Sequence, residues 1–419
     1  MTTPSASTRG SLRQTLAPLL ASHALGLLIP LLTVPYLARV LRPDGWGPVL
    51  VAQALVAWVG LLLEYGADLS GVRAVAAARA RAPLTVAAMR ATVWGVQGAK
   101  LLLLPAGLLL LAGVLLTLAP FRAAPALAAW TAVAALAKGF SPLWYFLGVE
   151  RLKRAIAIDT GARILAALAV FPLVRNPTDG WKVLAAQATL TLVATLWLTR
   201  TLWREAPPPD EGIWSHAVDA LRRGRSIFAY RVSGTIFLHG NTLLLGALAP
   251  AASVAAYGGA ERVVRAAANL LEPLTRALLP RLSHLREHDA AEAGRFLSRL
   301  LPMVIGGALL GGIGIALTAP LLVRVLLGEG YELAIPLIRV LSLLLPIVAT
   351  GTAIGFYWAL PAGRDRLVLG ATAAAGVLTL IVVGLLVPRY GAMGMAVAAV
   401  AAEATVALIL TTAYRRRAR

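Results

Sequence analysis

Apolar and polar positions alternate along this chain on a long period. Runs of about 20 or more apolar residues, the length a helix needs to cross the hydrocarbon layer of a bilayer, are separated by short polar connections. The stretch LLLLPAGLLLLAGVLLTLA (101–119) is one such run. Proline, glycine and charge bound the apolar windows, which predict spans at 15–41, 48–71, 85–119, 125–147, 157–175 and 182–203, then at 225–248, 254–280, 299–327, 334–360, 367–388 and 394–414. The expected fold is therefore an all-α integral membrane protein of about twelve transmembrane helices, since a spanning helix satisfies its own backbone groups in lipid. The first apolar segment is too long for a signal-peptide core of about 7–15 residues and reads as a retained helix.

The spans repeat. WGPVLVAQ (46–53) precedes the second as YGGAERVV (257–264) opens the eighth, and WYFLGVERLKR (144–154) matches YWALPAGRDR (357–366). DGW (179–181) likewise sits where YGA (390–392) does, an offset of about 211–213 residues throughout. Each half holds six spans, so the expected arrangement is two six-helix bundles related by a pseudo-two-fold axis along the membrane normal. Binding between two such halves is a transporter plan. The boundaries expected are an N-terminal bundle over 1–203, a cytoplasmic linker over 204–224 and a C-terminal bundle over 225–419. Within the connection REAPPPDEGIWSHAVDALRRGRS (204–226) three prolines stiffen the chain, and WSHAVDALRRG reads as a short amphipathic helix on the membrane surface.

Composition agrees. The chain is 59% hydrophobic and 14% charged, against about 45–50% and about 25% in soluble domains. It has no cysteine, which removes disulfides, thiol nucleophiles and thiolate metal sites. The net charge of +20 does not point to nucleic acid, because the basic residues fall in short runs between apolar spans. Arg9 and Arg13, Arg73 to Arg81, Arg151 to Arg154, Arg204 to Arg223, Arg281 to Arg295, Arg364 and Arg366, and the terminal arginines share one side. That asymmetry places both termini in the cytoplasm.

One span is polar for its length. In YGGAERVVRAAANLLEPLTRALLPR (257–281), with Glu261 set at zero, Glu272 falls at about 20°, Arg265 at about 40°, Arg276 at about 60°, Asn269 at about 80° and Arg262 at about 100°. Facing lipid, each charge would cost on the order of 3 kcal/mol. Two arrangements avoid that cost. Glu261–Arg265 and Glu272–Arg276, both spaced i,i+4, could neutralise each other and glue helices together, which explains four residues and leaves Arg262 and Asn269 over. A wet cavity accommodates all six. Other polar positions within or near spans are Lys100, Lys138, Asp159, Arg163, Arg231, Asn241, Arg339 and Glu403, while Gln53, Glu64 and Asp68 share a face of the second span. Cations outnumber anions, so an anionic cargo is expected.

Enzyme chemistry is poorly represented. No phosphate-binding G-x-x-x-x-G-K-[ST] loop occurs, and SHLREH (283–288) is not a zinc-binding H-E-x-x-H, so neither a metal nor a cofactor is expected. GGALLGGIG (306–314) reads as small-residue spacing for close helix packing.

Several stretches in order carry a family resemblance: PYLARVLRPDGWGPVLVAQAL (35–55), LLLEYGADLSGVRAVA (61–76), SPLWYFLGVERLKRAIAIDTGARI (141–164), ALAPAASVAAYGGAERVVRAA (247–267) and LLGEGYELAIPLIRVLSLLLP (326–346). The chain resembles the O-antigen and polysaccharide flippases, the polysaccharide transporter family of the multidrug/oligosaccharidyl-lipid/polysaccharide exporter superfamily. The resemblance implies two six-helix bundles in a V around a cationic cavity that alternates between the two faces. It implies a multi-pass inner-membrane protein carrying an undecaprenyl-diphosphate-linked oligosaccharide to the outer leaflet, among membrane lipids and polysaccharide polymerase or glycosyltransferase machinery. Residues expected to meet such cargo are Arg262, Arg265, Arg276, Asn269, Lys100, Lys138, Arg163, Arg231, Asn241 and Gln53. Glu261, Glu272 and Asp159 are candidates for ion coupling. A cation-coupled multidrug exporter of the same superfamily would favour an acidic or aromatic cavity instead. A peptidoglycan-precursor flippase is usually longer, and a membrane glycosyltransferase or polymerase needs a larger extramembrane loop than any predicted.

Overall fold

The computed structural model describes residues 6–80, 86–209, 212–269, 278, 282, 284–285 and 288–418. These residues are helical with no strand among them. Helix α1, Ala6–Glu64, holds the first two expected spans and breaks between them at Arg42, whose φ of 56° lies in the left-handed region. Pro43 explains the place, because a proline disfavours helical geometry in the residue before it. A second break at Tyr65 (φ 46°) and Gly66 (φ 74°) separates α1 from α2, Ala67–Ala80. The third span is α3, Val86–Thr117, and a short α4, Ala119–Ala123, leads to α5, Pro125–Gly139, and α6, Leu143–Gly148. The next spans are α7, Leu152–Leu173, and α8, Gly180–Glu205. Between them Asp179 accepts the backbone N–H groups of Arg175 and Asn176, both at 3.0 Å, and pairs with Lys182 at 2.7 Å, so the entrance to α8 is tied down.

The later half runs α9, Ile213–Leu248, α10, Ala251–Ala268, and α11, Ala290–Leu322, which Asp289 caps by accepting the N–H of Glu292. A π turn over Val323–Leu327 ends α11. Then come α12, Ala334–Leu341, and α13, Leu344–Ile354, extended by a π turn over Gly355–Ala359. The last helix, α14, Asp365–Ala418, breaks at Gly391 (φ 54°), where sequence predicts the eleventh span to yield to the twelfth. Glycine takes that conformation at no steric cost.

Eight helical stretches of the described residues are long and apolar enough to cross a membrane. One of them, Asp365–Arg416, measures 52 residues, more than twice the ~20 needed, and its break at Gly391 lets it cross twice; α1, which runs from Ala6 and breaks at Arg42, is long enough on both sides of its break to do the same. With α9 and α10, which are more polar, the crossings reach the expected number. Their outward faces carry Leu109, Leu116, Met303, Leu310 and Leu317, each 72–75% exposed. Such faces are at home only in hydrocarbon. Buried hydroxyls are satisfied locally: Thr131 and Thr379 donate to the carbonyls one turn earlier, and Thr195 on α8 donates across to Ala137 of α5 at 3.0 Å. Interhelical hydrogen bonds of this kind hold membrane helices together.

The chain forms two compact units. The first takes residues up to Leu41 together with Ala52–Val232, and the second takes Arg42–Val51 together with the residues from Ser233 on. Two helices therefore divide their residues between units. The segment expected as a surface helix in the linker is the first part of the continuous 36-residue α9. It is fastened to the first unit, where glycines at 95 and 98 of α3 leave room for His216 and Ala217. The segment Arg42–Val51 is seated equally firmly in the second unit. Trp46 is fully buried, a side chain at Gly47 would collide with the Ala251 carbonyl, and one at Gly258 would approach Leu50 to 2.5 Å. Gly47→Val is expected to lower stability by at least about 2 kcal/mol, because the obstacle is backbone rather than a movable side chain. A thermal melt of the detergent-solubilised protein measures this, and an unchanged midpoint would refute the packing. The glycines of 306–314 behave less uniformly than their spacing predicts. Gly312 lets α11 approach Ser342 at the end of α12, whereas Gly306, Gly307 and Gly314 meet nothing within 4 Å among the described residues.

Candidate functional site

In the first unit Glu64 ends a helix, and cations from three other helices come near it. Arg231 of α9 places Nη2 3.8 Å from its carboxylate. Lys100 of α3 and Lys138 of α5 are both close enough to feel its charge. Arg163 of α7 lies within electrostatic reach of Lys138 and pairs with Asp159, one turn earlier, at 2.9 Å. Four cations thus meet two carboxylates, and the cluster carries a net positive charge.

The two lysines are held differently. Lys100 is 1% exposed, and its Nζ donates to the Ser141 carbonyl in the turn between α5 and α6 at 3.0 Å. The Lys138 stem lies against Gly60, where any side chain would come within 3.1–3.3 Å of its methylenes. Lys138 is itself exposed within the unit and has no hydrogen-bond partner among the described residues. Gln53 of α1 donates to Gln187 of α8 at 3.3 Å, so the amide is partly engaged.

In the second unit the polar stripe of α10 divides. Arg265 donates through Nε to Glu261 at 3.0 Å, and Glu261 is only 8% exposed. Arg265 also interacts with Glu403 of α14 and with Tyr257. The Tyr257 hydroxyl is fully buried and accepts a hydrogen bond from Asn241 Nδ2 at 3.1 Å, while Asn241 Oδ1 is buried with no partner. Asn241, expected at a wet surface, is 1% exposed and belongs to this interior cluster. Arg262 lies over the ring of Trp46 at 5.5 Å, the arrangement in which an aromatic face attracts a cation. Asn269 is exposed at the end of α10, where its N–H bonds to the Arg265 carbonyl. Glu272 and Arg276 lie outside the described residues. The i,i+4 pairing therefore holds for Glu261 and Arg265. Arg262 also meets an aromatic ring more than two hundred positions away in sequence.

Trp46, Tyr257 and Glu403 complete this cluster and were not singled out by charge pattern as binding residues. The signal for Trp46 was its place beside Gly47 at the head of the second span. Nothing local marks Tyr257.

These features define a helical multi-pass membrane protein with polar, predominantly cationic clusters inside an apolar shell. Residues 12–286 match the family described as "Polysaccharide biosynthesis protein", and the chain belongs to it. A relative named "Putative O-antigen transporter" in Escherichia coli (strain K12) is 26% identical over 409 residues, covering 96% of each chain. Its namesake in Shigella dysenteriae is 23% identical over 410 residues, 94% of this chain and 97% of that one. Two solved structures share the fold. The inward closed conformation of the lipid II flippase MurJ matches with a TM-score of 0.72 at 12% identity, over 96% of this chain and 87% of the other. An inward-facing multidrug resistance MATE family transporter matches with a TM-score of 0.63 at 16% identity, over 92% of this chain and 94% of the other.

Proposed function

We propose that this protein is a flippase that moves an oligosaccharide linked to undecaprenyl diphosphate from the cytoplasmic to the outer leaflet by alternating access. The observation that carries the reading is the gathering of Lys100, Lys138 and Arg231 near Glu64, with Arg163 within electrostatic reach of Lys138, in the first unit. Polar groups in a membrane interior are expensive, and those retained mark a path for cargo or ions. An excess of cations suits a diphosphate or acidic sugars and opposes a cationic drug. The relatives named as O-antigen transporters support a polysaccharide cargo.

On this reading Lys138, Arg163 and Arg231, all more accessible than Lys100, meet the phosphates first, and Lys100 supplies a fixed positive background. In the second unit Arg262 and Arg265, with Arg276 in the same stretch of sequence, are the cations offered to acidic groups of the cargo. Gln53 and Asn269 supply hydrogen-bonding amides for sugar hydroxyls. Asp159, Glu261 and Glu272 are the candidates for coupling to an ion gradient. Both termini lie in the cytoplasm, the membrane is the inner membrane, and polymerase or glycosyltransferase machinery supplies and removes the glycan.

The test is reconstitution. Proteoliposomes receive a fluorescent undecaprenyl-diphosphate oligosaccharide in one leaflet, and exposure of the glycan on the other side is followed with an impermeant lectin. Transfer well above protein-free liposomes is expected. Transfer of a cationic dye with no movement of the lipid-linked glycan would instead establish the multidrug reading.

A further inference from the structure

Away from the interior cluster, α8 carries a stripe of a different kind. Val193, Leu196, Trp197, Arg200, Thr201 and Arg204 follow the i, i+3, i+4 spacing of one helix face and line an open hollow of about 480 Å³ on the first unit. The face is bare. Val193, Leu196 and Trp197 are 54–63% exposed, and both arginines are exposed. From Val193 to Arg204 the stripe runs about 16 Å at 1.5 Å per residue, close to the ~15 Å of one leaflet's hydrocarbon. Its lower part is purely apolar, and its upper part, at the end of α8, is cationic.

Among the described residues, the acceptors at that end are already engaged by other groups. The Glu205 carboxylate accepts from Arg151 and from the Tyr145 hydroxyl, both at 2.9 Å. The Ala206 carbonyl accepts from Trp94 Nε1 at 3.0 Å, and the Pro207 and Pro208 carbonyls accept from Arg90. The Leu202 carbonyl is taken by the Ala206 N–H. Arg200 and Arg204 therefore face outward with no ion pair or hydrogen bond among the described residues. A lone arginine at a helix end can be explained by snorkelling. Two, one turn apart above an exposed tryptophan and an apolar channel of leaflet length, form a receptor for an amphiphile with an anionic head.

We infer that the α8 hollow binds an anionic phospholipid, its phosphodiester between Arg200 and Arg204 and one acyl chain along Val193, Leu196 and Trp197. Each basic residue near an anionic lipid surface adds roughly a fivefold preference, so the two together give about 30-fold over a zwitterionic lipid.

The test uses the full chain in phosphatidylcholine vesicles containing acyl-brominated phosphatidylglycerol, whose bromines quench nearby tryptophan. The Trp197 contribution is read as the difference between wild type and Trp197→Phe. Brominated phosphatidylglycerol is expected to quench it at about 30-fold lower surface fraction than brominated phosphatidylcholine. Arg200→Gln with Arg204→Gln should abolish the preference, and Arg200→Lys with Arg204→Lys, which folds with the same charge, should keep it. Equal quenching by the two lipids, or a preference that survives both glutamines, overturns the assignment. So does displacement of the phosphatidylglycerol by undecaprenyl phosphate at matched charge, which would make the hollow part of the cargo's route.

Discussion

Replacing Lys138 and Arg231 together by glutamine is expected to reduce flipping of a lipid-linked diphosphate by at least about a hundredfold, since a hydrogen bond to a charged group contributes about 1.5–3 kcal/mol and two are removed. The protein should remain in the membrane, and its melting temperature reports any cost of losing the Arg231 contact with Glu64 at 3.8 Å; Lys138 has no hydrogen-bond partner to lose among the described residues. The same substitution at Lys100 mixes structure with function, because it leaves the Ser141 carbonyl without its donor. Rates near normal in a well-folded Lys138→Gln, Arg231→Gln double variant would remove the first unit's cluster from the cargo path.

The second large effect concerns Arg265. Arg265→Ala is expected to destabilise the protein by about 3–5 kcal/mol, because it strands the buried Glu261 carboxylate without its countercharge. Adding Glu261→Gln should restore much of the loss, since an amide costs less to bury than an unpaired carboxylate. Melting curves of the two single variants and the double complete a thermodynamic cycle. A double variant as unstable as Arg265→Ala alone would show that Glu261 is not the principal partner and that Glu403, across on α14, is. Export has to be compared in the double variant rather than in the single, where unfolding and loss of transport look alike.

Much of the fold is legible along the chain because lipid imposes simple rules. Apolar run length marks the crossings, and the breaks at Arg42 before Pro43 and at Gly391 fall where the spans were divided. The allegiance of Arg42–Val51 and of the first part of α9 was not legible. It depends on Gly47 fitting under the Ala251 carbonyl and on Gly95 and Gly98 admitting Ala217 and its neighbour, contacts between residues far apart in sequence. The site divides in the same way. Glu261 with Arg265 could be read from spacing. Trp46 beneath Arg262 could not, nor could the meeting of Glu64 with Lys100, Lys138 and Arg231, which needs the tertiary packing of four helices. The break at Tyr65 and Gly66 was not legible either, because a left-handed tyrosine interrupts a helix that its composition makes look continuous.

Gly60 has an effect out of proportion to its size. By leaving a trough for the methylenes of Lys138, it positions a charge by contact along the stem and leaves the ammonium itself untethered. A lysine head has three rotatable donors on a flexible stem, so it can turn to follow a passing phosphate without first giving up a bond. Lys100, pinned to a carbonyl, cannot. The interior of the first unit thus combines a stationary countercharge with a travelling one, and it is the residue lacking a side chain that grants the second its freedom.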